Sequence, residues 1–151
     1  MENFINFLID WLFYSFIEGL IMYVYTLKFC DIKLPKLPKI IRNALIVSFG
    51  SAACSRFIPI MGLSQIVMIL YFFLFFKIFV KIDNVKALLS VISIFIVCIL
   101  TEMLLVFITG KCSFCIITLD LNSFLRILVF IFSKIFEIFV LHYIQKIFKG
   151  I

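Results

Sequence analysis

The sequence predicts an all-α integral membrane protein, a helical bundle of about five transmembrane helices. Two thirds of its 151 residues are apolar (66%), 21 residues are phenylalanine, and the mean hydropathy is +1.29. A soluble domain is only about half apolar, so the excess has to be solvated by lipid. Apolar runs of about 20 residues, the length that crosses roughly 30 Å of hydrocarbon, recur along the chain between short polar breaks.

The first predicted span, residues 4–27, begins close to the N-terminus and is interpreted as a retained helix. No basic segment precedes it, and it carries Asp10 and Glu18, which is not the pattern of a cleavable signal peptide. The break that follows, KFCDIKLPKLPK, contains Pro35 and Pro38. Prolines at these positions forbid one continuous helix, so a second span has to begin after them.

The remaining spans are predicted at residues 40–59, 63–80, 85–109 and 123–148. Pro59 and Gly62 in RFIPIMGLS separate the second span from the third, and the short polar segment KIDNVK joins the third to the fourth. The longest connection, TGKCSFCIITLDLNS, precedes the last span. Because the spans occupy most of the chain and no internal repeat is visible, residues 1–151 are predicted to form a single transmembrane domain.

Basic residues are distributed unevenly between the two predicted sides of the membrane. With five spans, one side holds Lys28, Lys33, Lys36, Lys39, Arg42, Lys77, Lys81, Lys86, Lys146 and Lys149. The other side holds Arg56, Lys111 and Arg126. The positive-inside rule therefore predicts a multi-pass cell-membrane protein with its N-terminus outside and its C-terminus in the cytoplasm. The net charge of +6 is accordingly interpreted as a topology signal and as contact with anionic membrane lipid, not as nucleic-acid binding.

Polar residues interrupt the last apolar run in the stretch SKIFEIFVLHYIQK. At 100° per residue they are predicted to share a stripe on one side of the helix. The stripe consists of Arg126, Ser133, Lys134, Glu137, His142 and Gln145. A charge at the bilayer centre costs about 2.5–3.5 kcal/mol, so this stripe is expected to face the interior of the bundle.

Partners for the charges of this stripe are available along the chain. Glu18 is expected at a depth close to that of Lys134, Glu102 is expected within reach of Arg126, and Lys134 and Glu137 are spaced for a local pair. The candidate buried polar network therefore consists of Glu18, Glu102, Arg126, Lys134 and Glu137. Three interpretations stay open: ion pairs that specify helix packing, a ligand pocket with its signal path, and a proton or ion pathway.

The sequence contains no pattern that indicates catalysis. His142 is the only histidine and has no Asp or Cys arranged as an evident triad, and neither a G-x-S-x-G elbow nor a glycine-rich phosphate loop is present. Cys112 and Cys115 form a C-x-x-C pair on the predicted outer face, a spacing suited to redox exchange or to half a metal site. Since a second pair is missing, incidental cysteines or a loop disulfide are preferred. We expect no enzyme activity, no metal and no cofactor.

The order of these features resembles the N-terminal polytopic membrane domain of accessory-gene-regulator-type sensor histidine kinases, which detect secreted peptides. The similar segments cover nearly the whole chain: FLIDWLFYSFIEGLIMYVYTLK with Glu18, YFFLFFKIFVKIDNVKALLSVISIFIVCILTEMLLV with Glu102, and LNSFLRILVFIFSKIFEIFVLHYIQK with Glu137. The resemblance implies that Glu18, Glu102 and Arg126 belong to a sensing bundle and that the last helix belongs to the output path. No kinase part follows Ile151, so this chain is expected to lack kinase activity of its own.

The resemblance implies a receptor-like or regulatory protein of a bacterial cell membrane. Its ligand would be an extracellular peptide or small molecule, and its protein partner would be a second copy of itself or a separate membrane protein. The alternative function is a small substrate-binding membrane subunit of a transporter complex, similar in size to those of energy-coupling vitamin importers. Such a subunit would use SFGSAACS, residues 48–55, as a coupling surface, although close packing between helices is the preferred interpretation of that segment.

Overall fold

The computed structural model describes residues 11–58, 61–109 and 123–149, and these ranges contain helices and no strand. The all-α prediction is therefore confirmed for this part of the chain. Five α-helices, numbered here in chain order, are α1 (Phe16–Phe29), α2 (Leu37–Phe57), α3 (Met61–Phe75), α4 (Asn84–Thr109) and α5 (Ser123–Lys149). Two π-helical segments of five residues each are also present, Trp11–Ser15 before α1 and Phe76–Val80 after α3.

The chain divides into two compact units, Met1–Ile92 and Ser93–Ile151. The boundary falls inside α4, so the first unit contains α1, α2, α3 and the start of α4. The second unit contains the rest of α4 together with α5. The prediction of a single transmembrane domain over residues 1–151 stays a prediction.

Side-chain hydrogen bonds show that α1 and α2 run antiparallel in the first unit. The amide Nδ2 of Asn43 on α2 donates to the hydroxyl of Tyr23 on α1 over 2.7 Å. Earlier in the chain, the indole Nε1 of Trp11 donates to Ser48 Oγ over 2.9 Å. A later residue of α2 thus meets an earlier residue of the first helical segment, which is the pattern of antiparallel neighbours.

Side-chain hydrogen bonds show that α2 and α3 also run antiparallel. The Tyr71 hydroxyl donates to the carbonyl oxygen of Ile46 over 2.6 Å, and Ser51 Oγ donates to the sulfur of Met68 over 3.5 Å. Since both pairs of neighbours are antiparallel, the connection from α1 to α2 and the junction from α3 to α4 lie at the same end of the first unit. The orientation of that end across a membrane stays a prediction.

Large apolar side chains are exposed along the described helices, which is the pattern expected of helices that contact lipid. On α4, the exposed residues include Leu88, Ile92, Ile96, Ile99, Leu100, Met103 and Phe107. The buried residues of α4 are mostly smaller or more polar, and they are Ala87, Ser90, Val91, Ser93, Ile94, Val97 and Thr101. Small and hydroxylated residues facing inward, with leucine, isoleucine and phenylalanine facing outward, are typical of helix packing in membranes.

Three of the described helices are long and apolar enough to cross a membrane: Leu63–Val80, Asn84–Thr101 and Leu128–Phe148. They coincide with the third, fourth and fifth predicted spans. The second predicted span corresponds to α2, which is 21 residues long but is made less apolar by Arg42, Asn43 and several small polar residues. The first predicted span begins outside the described residues. A membrane protein is therefore supported, and the five-span count stays a prediction.

Two helices end at a non-glycine residue in the left-handed conformation. Asp31 has a φ of 58° and the amide of Ile32 donates to the carbonyl of Leu27 over 2.9 Å, so this turn closes α1 in the manner of a Schellman motif. Lys81, with a φ of 60°, closes the π-helical segment after α3. Two residues later, Asp83 caps α4, since its carboxylate accepts the Val85 amide over 3.1 Å.

Lys81→Gly is expected to stabilise the protein by about 0.5–1 kcal/mol, because glycine adopts a positive φ without the steric penalty that a Cβ causes. Thermal unfolding in detergent measures the difference. Lys86→Gly is the matched control: it removes the same charge from an exposed position inside α4, where glycine should destabilise by about 1 kcal/mol. Equal changes in both variants would contradict the assignment of strain to Lys81.

Candidate functional site

The buried face of α5 is the polar part of this helix. Ser133, Lys134, Glu137 and Leu141 are buried, with 8% of Lys134 and 7% of Glu137 exposed. The exposed positions are apolar over most of the helix, and they include Leu128, Ile131, Phe132, Ile135, Ile138 and Phe139. Lys134 and Glu137 thus lie on the buried side of α5. The sequence positions the pair locally, because residues three apart lie on one face of a helix.

Lys134 and Glu137 form a bidentate ion pair. The Lys134 ammonium donates to both carboxylate oxygens of Glu137, each over 3.0 Å. One turn earlier, the ring of Phe130 lies 5.5 Å from Lys134 Nζ, within the range of a cation–π contact. Ser133 Oγ donates to the Phe130 carbonyl over 2.8 Å, so the hydroxyl beside the pair is satisfied by the backbone of the same helix.

The energy of each buried charge depends on the presence of the other charge. Together they are neutral, and the short contacts replace part of the hydration that both groups lose on burial. Loss of either charge would remove this contact from the other buried ion, which is more costly than the loss of both charges together. The arrangement suits a group whose energy responds to a change in its surroundings.

The stripe predicted on the last span is narrower in the structure than the sequence pattern suggested. His142 is exposed and Gln145 is only half-buried. The inclusion of His142 in an inward-facing stripe was wrong, because a residue five positions after Glu137 lies about 140° around an α-helix. The inner polar face is therefore centred on Ser133, Lys134 and Glu137.

The structure brings together only part of the candidate network. Glu18 is half-buried in the first turn of α1, in the first unit. The backbones of Glu102 and Arg126 belong to α4 and α5, and their side chains lie outside the described part of the structure. Cys112 and Cys115 also lie outside it. The pairing of Lys134 with Glu137 is observed, and the five-residue network stays a prediction.

A second set of buried polar contacts, in the first unit, was not anticipated from the sequence. Asn43, which is 5% exposed, donates to the Tyr23 hydroxyl, and the Tyr23 ring stacks on Phe76 with centroids 6.2 Å apart and an interplanar angle of 14°. Trp11 contacts Ser48 in the same unit. Two features of the sequence could have indicated these contacts: a lone asparagine within an apolar run and the only tryptophan of the chain.

Tyr23→Phe should destabilise the protein by about 1 kcal/mol, because it removes the acceptor of the buried Asn43 amide while keeping the ring that stacks on Phe76. Thermal unfolding of the purified protein in detergent provides the measurement. Tyr143→Phe, at a position that is 60% exposed, is the matched control and should change the stability by less than about 0.5 kcal/mol. A Tyr23→Phe variant as stable as the control would show that the hydrogen bond contributes nothing.

The small residues of SFGSAACS serve as contact points between helices in the first unit. A Cβ added at Gly50 would lie 2.1 Å from Cε1 of Tyr71, so the α3 ring occupies the space that a side chain would need. Facing this segment from α1, a Cβ added at Gly19 would lie 2.9 Å from Ser48 Cβ and 2.8 Å from the carbonyl oxygen of Ala44. These contacts support the packing interpretation of residues 48–55.

Cysteines and metal-binding groups do not assemble into a site within the described ranges. No cluster of three His, Cys, Asp or Glu side chains occurs there, and Cys30 and Cys54 are free thiols in these ranges. Burial raises the pKa of the Cys30 thiol, at the end of α1, and the nearby charge of Lys86 partly opposes this effect. The thiol of Cys30 is therefore held in its neutral, less reactive form.

No family model, no curated protein and no solved structure matches this chain. The resemblance to peptide-sensing kinase domains thus depends on the three segments that contain Glu18, Glu102 and Glu137. It stays a prediction.

Proposed function

We propose that this protein is a receptor-like or regulatory integral membrane protein whose last helix transmits the state of a sensing bundle. The observation that carries the proposal is the buried Lys134–Glu137 pair on α5. The family resemblance supplies the expected ligand class, an extracellular peptide or small molecule, and assigns the last helix to the output path.

Packing alone is a weak explanation for an ion pair in this position. Burying two charges costs several kcal/mol per ion, and replacing buried pairs by apolar residues often leaves a protein equally stable or more stable. Ionisable residues inside membrane spans are rare and are functional-site candidates by default. A fully apolar α5 would bury the same face without this desolvation, so the presence of the pair supports a role in signalling.

The helix that carries the pair also provides a path for its output. Glu137 lies about 18 Å from the last residue of α5 along the helix axis, at 1.5 Å per residue. A rotation or shift of α5 that changes the surroundings of the pair would move the whole C-terminal half of the helix. Exposed Lys146 lies in that half, where it would meet a partner protein or the membrane surface.

The proposal is tested by affinity purification of the tagged chain from its native membrane in mild detergent, with mass spectrometry of the proteins recovered. Recovery of a histidine kinase, or of the chain as a dimer, is expected. The comparison variant carries Lys134→Met and Glu137→Met together, because removal of both charges should preserve the fold while abolishing the pair. We expect that this variant no longer binds the partner protein, or that it binds the partner without regulating it.

Two outcomes would overturn the proposal. Recovery of an ATPase pair with a coupling protein would assign the chain to the alternative function, a substrate-binding subunit of a transporter. The native chain and the double variant could also recover the same partner, with the same activity of that partner. This result would show that the ion pair takes no part in regulation.

A further inference from the structure

The connection between α1 and α2 has a three-residue repeat that the proposed function leaves unexplained. It reads K-L-P-K-L-P-K over residues 33–39, so that lysine, leucine and proline each recur every third residue. Residues 32–36 form no regular secondary structure, and Lys36 has φ −58° and ψ 145°, close to the polyproline II conformation. A polyproline II helix has three residues per turn, so in the part before α2 this conformation would place Lys33 and Lys36 on one edge and Leu34 on another; from Leu37 the chain is α-helical.

The two edges are both exposed. Lys33, Lys36 and Lys39 are exposed, and so are Leu34 at 48% and Leu37 at 67%. α2 begins at Leu37 with Pro38 in its first turn, where a proline is tolerated because its missing N–H has no helical partner. The pattern continues into the helix with exposed Ile41 and Arg42. A lysine edge beside a leucine edge is the pattern of a segment that lies in a membrane interface.

A second basic segment lies at the same end of the first unit. The antiparallel order of α1, α2 and α3 places the junction from α3 to α4 beside the repeat, and Lys86 and Asp83 lie close enough to Cys30 for their charges to act on its thiol. All eight basic side chains of this end are exposed: Lys28, Lys33, Lys36, Lys39, Arg42, Lys77, Lys81 and Lys86. Only two acidic side chains oppose them within the same segments, Asp31 and Asp83.

We propose that residues 33–42 form a binding surface for anionic phospholipid headgroups. Lys33, Lys36, Lys39 and Arg42 contact the phosphates, and Leu34, Leu37 and Ile41 contact the first carbons of the acyl chains. Phospholipid, and not an acidic protein, is the expected occupant because an acidic protein surface would satisfy the lysines but leave the exposed leucines without an apolar partner. The long lysine side chains can reach the headgroup level while their stems stay against apolar surface.

The test is native mass spectrometry of the full-length protein in detergent, titrated with phosphatidylglycerol or with phosphatidylcholine. We expect tighter retention of phosphatidylglycerol. Lys33→Gln combined with Lys36→Gln should weaken this retention about 25-fold, at about fivefold for each lysine. The control combines Arg56→Gln, at the other end of α2, with Lys111→Gln, and both residues are predicted on the opposite side of the membrane. It removes the same charge and should change retention by less than about threefold.

Further measurements separate lipid from other anions. Phosphatidylglycerol retention by the native chain should fall strongly in 0.5 M NaCl, since exposed charges are screened within about 4 Å at that ionic strength. Equal retention of the two lipids, or equal losses in the test and control variants, would overturn the proposal. Competition by inorganic phosphate as effective as that by the lipid would indicate a free-anion site, and stronger binding of polyglutamate would indicate an acidic protein partner. Either result would also overturn it.

Discussion

Lys134→Met should lower the free energy of unfolding by about 3–5 kcal/mol, because it removes the ammonium group that contacts both oxygens of the buried Glu137 carboxylate. Methionine fills a volume similar to that of the lysine stem, so lost packing contributes little to this effect. Thermal or denaturant unfolding of the purified protein in detergent measures the change. The combined variant with Glu137→Met should recover most of the loss, since the buried carboxylate is then removed together with the ammonium group.

Two variants near the end of α5 control for the loss of a positive charge. Lys146→Met, at an exposed position of α5, and Lys149→Met, at the end of the same helix, should each change the stability by less than about 0.5 kcal/mol. If Lys134→Met were as stable in detergent as these controls, Lys134 would not be a buried, paired charge. A double variant as unstable as Lys134→Met would show that the loss does not come from breaking the contact between the two charges.

Gly50→Ala is expected to destabilise the first unit by about 2–3 kcal/mol through overpacking. The added methyl group would overlap the ring of Tyr71, whose Cε1 and Cζ lie 2.1 and 2.2 Å from the new Cβ position. The ring cannot move away freely, because its hydroxyl donates to the Ile46 carbonyl on the same helix as Gly50. Relief therefore requires either a broken hydrogen bond or a wider separation of α2 and α3.

A double-mutant cycle identifies the cause of this loss. Tyr71→Leu removes the ring that the new methyl group would meet, so Gly50→Ala should be tolerated much better in the Tyr71→Leu background than in the native one. Additive effects of the two substitutions on the unfolding midpoint would contradict a direct steric conflict between positions 50 and 71.

The lipid surface and the ion pair lie in different compact units, and their proposed roles can be tested separately. The substitutions at Lys33 and Lys36 are at exposed positions of the first unit and leave the pair on α5 intact. The substitutions at Lys134 and Glu137 leave the basic connection intact. A chain that loses phosphatidylglycerol retention but keeps its protein partner would show that membrane anchoring and regulation depend on different residues.

Much of the helical architecture could be predicted from residue types alone. Apolar runs bounded by Pro35 and Pro38, by Pro59, and by the polar segment around Asp83 predict the helix boundaries to within a few residues. The local pair between Lys134 and Glu137 was also predictable, since a spacing of three brings two side chains together within one helix. These features depend on neighbours in sequence, for which composition and periodicity are sufficient.

Contacts between helices were not predictable in the same way. Nothing in the sequence indicates that Asn43 meets Tyr23, that Trp11 meets Ser48, or that Gly50 receives the ring of Tyr71. Such contacts depend on the rotation and separation of whole helices, which one polar or small residue does not specify. The exposure of His142 was not predictable for a similar reason. Whether a residue at the margin of a polar stripe is buried depends on which side of the helix its neighbours cover.

The sequence by itself therefore determined that this is a helical protein of the membrane class, where its described helices begin and end, and which charges can pair within one helix. Apolar content and proline positions are sufficient for these conclusions, because lipid solvation and backbone hydrogen bonding act on each segment independently. Only the tertiary structure decided which small residues let helices approach closely and which polar groups are buried together. Those properties arise from surfaces that do not exist until separate helices pack against one another.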